Sequence, residues 1–390
     1  MKILMVSSYL PYPLYSGGHI RLYNIIKNLS LQHEITLVCE KRDNQTESDI
    51  KNVEKICTKV ITVKRKKQWS GKNILKTMVS LDPFLITGHK SGEMKKIIEE
   101  LLNKENFDLI HVETFYVMQN LPKTNLPVVM VEHNIEYMVY KKYASRASLF
   151  LKPILTVDIA KIKRIEQKFW KRADVLVAVS PKEQKIMGES AKLIPNGVDI
   201  EKFSFKKIDK SKRERKVLFI GDFKWVQNRD SIIYIIKNIW PSVIYKDVNK
   251  SLKLWVVGKM IPDSIKKLGD PSVIFDENAS NQTEKIFQEA DLLLSPIRIG
   301  GGTNFKILES MASGTPVLTT SLGNEGLNAE NNHEIIICEK PDEFANKIVN
   351  ILKDEYLYEK LSRNGRIFIE KNFDWKNISG KLDKIYKDLK

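Results

Sequence analysis

The stretch that decides the fold begins at Leu292-Leu293-Leu294-Ser295. It runs through Gly300-Gly301-Gly302-Thr303-Asn304 into Phe305-Lys306-Ile307-Leu308-Glu309-Ser310-Met311-Ala312-Ser313-Gly314. It ends on Thr315-Pro316-Val317-Leu318-Thr319. The first run is short and apolar, as a strand buried on both faces requires. Residues 305, 308, 311 and 312 are apolar and fall on one helical face. Gly314 ends the helix, and Pro316 just beyond it cannot continue one. Val317 opens a second apolar run. Strand, glycine turn, helix and strand make a βαβ unit, whose two strands are parallel.

The same alternation extends in both directions. Short β-branched runs predict strands over 3–7, 35–38, 60–63, 109–112, 128–132, 175–179 and 192–194. A second series covers 217–220, 252–257, 273–275, 292–295, 317–319 and 335–337. The intervening stretch, 201–216, is charged and has no sustained apolar period, so it reads as a linker. The expected class is therefore α/β: a Rossmann-like domain over 1–200, the linker 201–216, a second Rossmann-like domain over 217–374 and a last helix over 375–390. Open parallel sheets bind ligands at the carboxyl ends of their strands.

Composition narrows the function. The chain has 390 residues, 42% of them apolar and 29% charged, enough for two cores. No apolar run approaches the ~18 residues of a membrane span, and Met1-Lys2-Ile3-Leu4-Met5-Val6 reads as a buried strand. Three cysteines, Cys39, Cys57 and Cys338, stand far apart with no CxxC pair, which argues against a disulfide frame or a zinc site and suits a reducing cytoplasm. HExxH, Asp-x-Asp and GxxxxGK[ST] motifs are absent, so no metal is expected and P-loop chemistry has no support. The net charge is +16, of which residues 1–200 carry +11. That excess suits a phosphorylated ligand or an anionic lipid surface. Nucleic-acid binding would rest on charge alone and is not expected.

The glycine loop has its own physical chemistry. Glycines let backbone approach a phosphate, and the first amides of the following helix point at it. Lys306 lies in that first turn, where a cation opposes the helix dipole unless an anion is bound there. Glu309 stands one turn on, and its carboxylate can accept two hydrogen bonds from vicinal ribose hydroxyls.

The run from Arg298 to Val317 resembles the donor-binding motif of the retaining, family-4-type glycosyltransferases with the GT-B fold, and Asn324-Glu325-Gly326-Leu327 is similar to the loop that follows it. The resemblance covers nearly the whole chain. It implies two Rossmann-like domains facing across a deep cleft. It also implies a nucleoside-diphosphate sugar donor, a glycan, lipid-linked or small-molecule acceptor, and metal-independent transfer of a hexose-type sugar with retention. A role in cell-surface polysaccharide or glycolipid synthesis follows, in the cytoplasm or peripherally on its membrane face.

The resemblance implies that Lys306 meets the diphosphate and that Glu309 binds the ribose, with Gly301, Gly302, Thr303 and Asn304 in the cradle. The family pairs Glu309 with a second Glu eight residues earlier; here that position is Gly301, which leaves the donor sugar open. A non-catalytic nucleotide-sugar or anionic-glycan binding protein and a sugar-nucleotide epimerase are the alternatives. Ser16-Gly17-Gly18-His19 is similar to the loop by which the first domain approaches donor phosphate or acceptor. His133, in Glu132-His133-Asn134, falls where the family places a histidine near the reacting carbon. In Gly221-Asp222-Phe223-Lys224, Asp222 occupies a usual Arg position, so Lys224 or Arg298 is expected to supply the second cation.

The face Leu155, Ile159, Ile162, Ile165 and Phe169, ringed by Lys161, Lys163, Arg164, Lys168, Lys171 and Arg172, reads as core packing or as a membrane contact. Lys64-Arg65-Lys66-Lys67-Gln68-Trp69 is a second basic stretch.

Overall fold

The computed structural model describes the chain except residues 67, 69–72, 74–76, 78–79, 146, 208, 210–212, 280–281 and 301. Gly301, Lys67, Trp69, Lys210, Ser211 and Lys212 thus lie outside the described residues. The chain divides into two units, one of Met1–Pro195 with Ile378–Lys390 and one of Asn196–Asn377.

The first unit is built on seven parallel strands: β1 (Lys2–Ser7), β2 (Glu34–Lys41), β3 (Lys59–Lys64), β4 (Leu109–Glu113), β5 (Val128–Glu132), β6 (Val175–Ala178) and β7 (Lys192–Leu193), in the order β3-β2-β1-β4-β5-β6-β7. Both faces of β4 and β5 are buried along their whole length, and their sequences are mostly apolar, with His111, Glu113 and Glu132 as the buried exceptions. The helix Trp375–Asp388 ends in this unit: Tyr386 Oη lies 2.6 Å from His111 Nδ1, and Asp383 lies 2.7 Å from His33 Nε2.

The second unit holds six parallel strands, β8 (Arg215–Ile220), β9 (Leu252–Val257), β10 (Val273–Asp276), β11 (Leu292–Ser295), β12 (Val317–Thr319) and β13 (Ile336–Ile337), in the order β10-β9-β8-β11-β12-β13. Two parallel sheets are what the strand–helix alternation predicts.

The division differs from the expected linker at both ends. Val198 and Phe203 are buried in the core of the second unit, and β8 begins at Arg215. Arg366 anchors the early part of the stretch by donating to the carbonyls of Ile200, Phe203 and Ala312. A charged sequence hides this docking because the carbonyls of Ile200 and Phe203 are met by a guanidinium 166 and 163 residues away.

Each sheet reverses its strand order once, at β1/β4 and at β8/β11. Crevices form at the carboxyl ends of such strand pairs, and every expected site residue lies after β1, β5, β8 or β11.

Candidate functional site

In the second unit, the expected helix runs Phe305–Ala312 and no side chain caps its N-terminus. The loop before it needs glycine at two described positions, Gly300 (φ 119°) and Gly302 (φ 79°). Gly326 lies against the loop: a Cβ there would come within 2.9 Å of the Thr303 backbone and 3.0 Å of the Gly302 carbonyl carbon. The Thr303 hydroxyl is buried and has no hydrogen-bond partner among the described residues.

Lys306 Nζ donates to Asn228 Oδ1 at 3.0 Å and lies 4.9 Å from the centre of the Phe219 ring. Burial brings its pKa down to about 8, against the opposing pull of Glu309. Among the described residues no carboxylate forms an ion pair with it. Burial likewise pushes the Glu309 carboxyl up to about 7, although Lys202 and Lys306 draw it down. This is a half-buried cation and a half-buried acid that, among the described residues, lack full partners, next to uncapped helix amides. An anion with adjacent hydroxyl groups supplies what both lack.

The other two expected cations are already paired. Arg298 donates to both oxygens of Asp230 at 3.1 and 2.8 Å and stacks 4.1 Å over the Tyr234 ring. Lys224 Nζ lies 2.7 Å from Asp222, on an exposed surface. The sequence reading missed Asn228, which fixes the lysine and whose Nδ2 donates to the Asp222 carbonyl. Gly221 is its only available signal: a Cβ there would overlap the Asn228 side chain.

In the first unit the centre is Glu113, at the end of β4 and unnoticed in the sequence. Its Oε1 pairs with His133 Nε2 at 2.5 Å and its Oε2 with His111 Nε2 at 2.7 Å, while Arg21 Nε stands 3.7 Å from Oε1. Burial alone would raise the Glu113 pKa, but the two imidazoles overrule it and hold the carboxyl well below the usual range. The pairing engages Nε2 of His133. Its Nδ1 faces Gly18, where a Cβ would come within 3.3 Å. Tyr9 Oη donates to the Gly18 carbonyl at 3.2 Å, and Ser16 Oγ lies 2.7 Å from His19 Nδ1. The loop Ser16-Gly17-Gly18 is thus folded onto the histidine. Burial, helped by Arg42, drops His19 to about 4, so it is neutral at physiological pH.

Beside His133, Thr114 holds φ 71°, ψ 143°, a left-handed conformation that costs a β-branched residue about 1–3 kcal/mol. Its hydroxyl lies 3.0 Å from that of Ser8, across the β1/β4 switch point. Tyr9, Gly18, Arg42, Arg65, Thr114 and His133 are among the residues lining a cavity of about 320 Å³. A larger cavity of about 650 Å³, along the helix Glu355–Asn372, contains none of the expected site residues.

The expected apolar face of the helix Lys152–Trp170 is core: Ile162, Ile165 and Phe169 are buried. Part of its basic ring is also used internally. Lys161 donates to the carbonyls of Thr77 and Ser80, Arg164 to that of Leu81, and Arg172 to those of Met118, Leu121 and Pro122. The carboxy-terminal part of that face is therefore core packing, whereas Leu155 and Ile159 are only half-buried. Among the described residues no helix is long and apolar enough to cross a membrane, and no cluster of three or more His, Cys, Asp or Glu side chains could hold a metal ion.

Residues 15–202 match the family model described as Glycosyltransferase Family 4, and residues 214–354 match that described as Glycosyl transferases group 1. An uncharacterized 44.6 kDa protein in the cps region of Klebsiella pneumoniae is 23% identical over 397 residues, covering 98% of this chain and 99% of that one. The UDP-Gal:alpha-D-GlcNAc-diphosphoundecaprenol alpha-1,3-galactosyltransferase of Escherichia coli is 23% identical over 323 residues, 76% of this chain and 79% of its own. Among solved structures, that of Anabaena HepE in complex with UDP and glucose superposes with a TM-score of 0.65 at 16% identity, over 100% of both chains.

Proposed function

We propose that this chain, which belongs to the family-4-type glycosyltransferases of the GT-B fold, moves a hexose-type sugar from a nucleoside-diphosphate donor to a lipid-linked or glycan acceptor, with retention. The observation that carries the donor assignment is Lys306: a cation drawn out of water beside uncapped helix amides, hydrogen-bonded to a neutral amide. The Escherichia coli relative, named for a UDP-Gal donor and a diphosphoundecaprenol acceptor, supports the choice of donor class and of a lipid-linked acceptor for polysaccharide or glycolipid synthesis.

In this reading the bond between the anomeric carbon and the diphosphate breaks while an acceptor hydroxyl oxygen bonds that carbon on the same face. The acceptor proton passes to the departing phosphate oxygen. Lys306 and the amides of Phe305 and Lys306 meet the charge that develops on the leaving group. Glu309 accepts hydrogen bonds from the ribose hydroxyls, and Gly302, Thr303 and Asn304 form the cradle. His133, held through Nε2 by Glu113, contacts the reacting sugar, and Gly17 and Gly18 bring the first-unit backbone to donor or acceptor. Lys224 and Arg298, already paired with carboxylates, assist only at longer range. No metal has a step in this scheme.

The test is a panel of nucleotide sugars scored for binding, for slow hydrolysis and for acceptor-dependent release of nucleoside diphosphate. Acceptor-dependent release from wild type, lost in Lys306→Ala and Glu309→Ala, is the expected outcome. Wild-type nucleotide affinity in both variants would sink the assignment. Binding without turnover would favour the non-catalytic alternative that Gly301, in place of the usual Glu, suggests.

A further inference from the structure

The helices Glu136–Ser145 and Lys152–Trp170 pack against each other as a hairpin. Its base is fixed: Glu166 accepts from the backbone amides of Glu136 and Tyr137, and Lys163 lies over the Tyr137 ring. All the buried residues of the second helix lie at or beyond Ile162, and Asp158 and Lys161 are tied to Phe84, Thr77 and Ser80, so the part that stands clear of the core is the stretch before Asp158.

That projecting end is apolar. Phe150 is 93% exposed, Leu149 78%, Ile154 63% and Val157 58%, with Leu151 also exposed. Ile154 and Val157 lie one turn apart on the helix, and Leu149 and Phe150 stand in the turn just before its N-cap, Leu151. On the facing helix, Val139 and Tyr143 repeat the i, i+4 pattern and Met138 adjoins them, all three exposed. Isolated surface hydrophobics need no explanation, but so many on one tip do.

Charge identifies the occupant. Residues 137–157 contain Lys141, Lys142, Arg146 and Lys152 and no Asp or Glu. Lys141 and Lys142 are exposed, beside the apolar stripe. A protein partner's apolar surface would ask for no such one-sided charge, whereas an anionic bilayer offers acyl chains below its negative headgroups. We infer that this hairpin tip inserts into an anionic lipid surface, with Phe150, Leu149 and Ile154 in the acyl boundary and Lys141, Lys142 and Lys152 at the headgroups. The inference deepens the lipid-linked-acceptor reading and rests on it for the purpose of docking, but membrane binding can be measured without turnover.

The test is flotation of the full-length chain with vesicles of phosphatidylglycerol or of phosphatidylcholine, at low and high salt. Wild type is expected to float with phosphatidylglycerol, more weakly with phosphatidylcholine, and less at high salt. Phe150→Ser combined with Ile154→Ser, and Lys141→Glu combined with Lys142→Glu, each lower the bound fraction by at least about tenfold while nucleotide affinity is unchanged. Phe150→Trp keeps binding and adds blue-shifted emission with phosphatidylglycerol vesicles. Three results overturn the inference: no wild-type flotation, undiminished flotation of both double variants, or a wild-type dimer in light scattering that Phe150→Ser with Ile154→Ser converts to monomer. Membrane binding with no sugar transfer from any donor would sink the transferase reading and leave this one standing.

Discussion

The candidate sites of the two units are opposites in how their charges are satisfied. In the first unit Glu113 is fully engaged, by His133, His111 and the nearby Arg21, and His111 is braced in turn by Tyr386. In the second unit Lys306 has a neutral amide for a partner, the Thr303 hydroxyl has none, and the helix N-terminus is uncapped. A satisfied buried network rigidifies what it holds, whereas an unsatisfied one costs stability until a ligand completes it. The first-unit site is thus a frame finished by folding, and the second-unit site, on the proposed function, is a receptor finished by its donor.

The sharpest way to break this contrast is Lys306→Ala. Transfer should fall about 10³-fold, because a preorganised charge at the leaving group is lost. The donor-free protein should melt no lower than wild type, since a half-buried cation with only a neutral amide for a partner is gone. A marked drop in melting temperature would show that Lys306 is structural after all. Glu113→Gln should do the reverse: lower melting temperature, nucleotide affinity intact by calorimetry and kcat reduced about 10²-fold as His133 loses its orientation. If nucleotide affinity also collapsed, the two halves would not be separable in this way.

Smaller effects sharpen the receptor half. Glu309→Gln should weaken binding of a nucleoside diphosphate about tenfold yet leave inorganic pyrophosphate binding unchanged, because only the former brings a ribose. The pH profile of kcat/KM should be bell-shaped. Its acid limb near 7 reports Glu309, which must be ionised to accept from hydroxyls, and its alkaline limb near 8 reports Lys306 losing its proton. Lys306→Arg, which stays charged, should move the alkaline limb upward by more than a unit if it still turns over. Smallest of all, Arg298→Ala should change donor affinity less than about threefold, since its charge is committed to Asp230.

Much of this was legible in the sequence, and the reasons are physical. Strands buried on both faces are mostly apolar, so β5 and β11 announce themselves, and β4 does so despite His111 and Glu113. A glycine-rich turn opening a helix with Lys306 and Glu309 on one side states its preference for an anion without any tertiary information. What sequence could not show depends on contacts between distant residues. Glu113 acquires its meaning from His133, twenty residues on, and His111 is braced by Tyr386, 275 residues away. Only the period-two placement of His111 and Glu113 on one face of β4 hinted at the pair. Arg298 looked available because Asp230 lies 68 residues earlier. The helix Lys152–Trp170 illustrates a different limit. Its periodicity correctly marked Ile162, Ile165 and Phe169 as one face, but periodicity does not say where along a helix the protein ends and solvent begins.

Gly326 carries a consequence for how this enzyme can change. It is separated by more than twenty residues from the loop it touches, yet it has no room for even a methyl group against Thr303 and Gly302. The loop cannot be rewritten as though it were a free-standing sequence. A library that randomises 302–304 while holding Gly326 samples only backbones compatible with that contact. One that varies 326 as well would lose most clones unless both segments moved together. New donor preferences in this scaffold should therefore arise as paired substitutions across the two segments, and recombination that separates them should erase the gain.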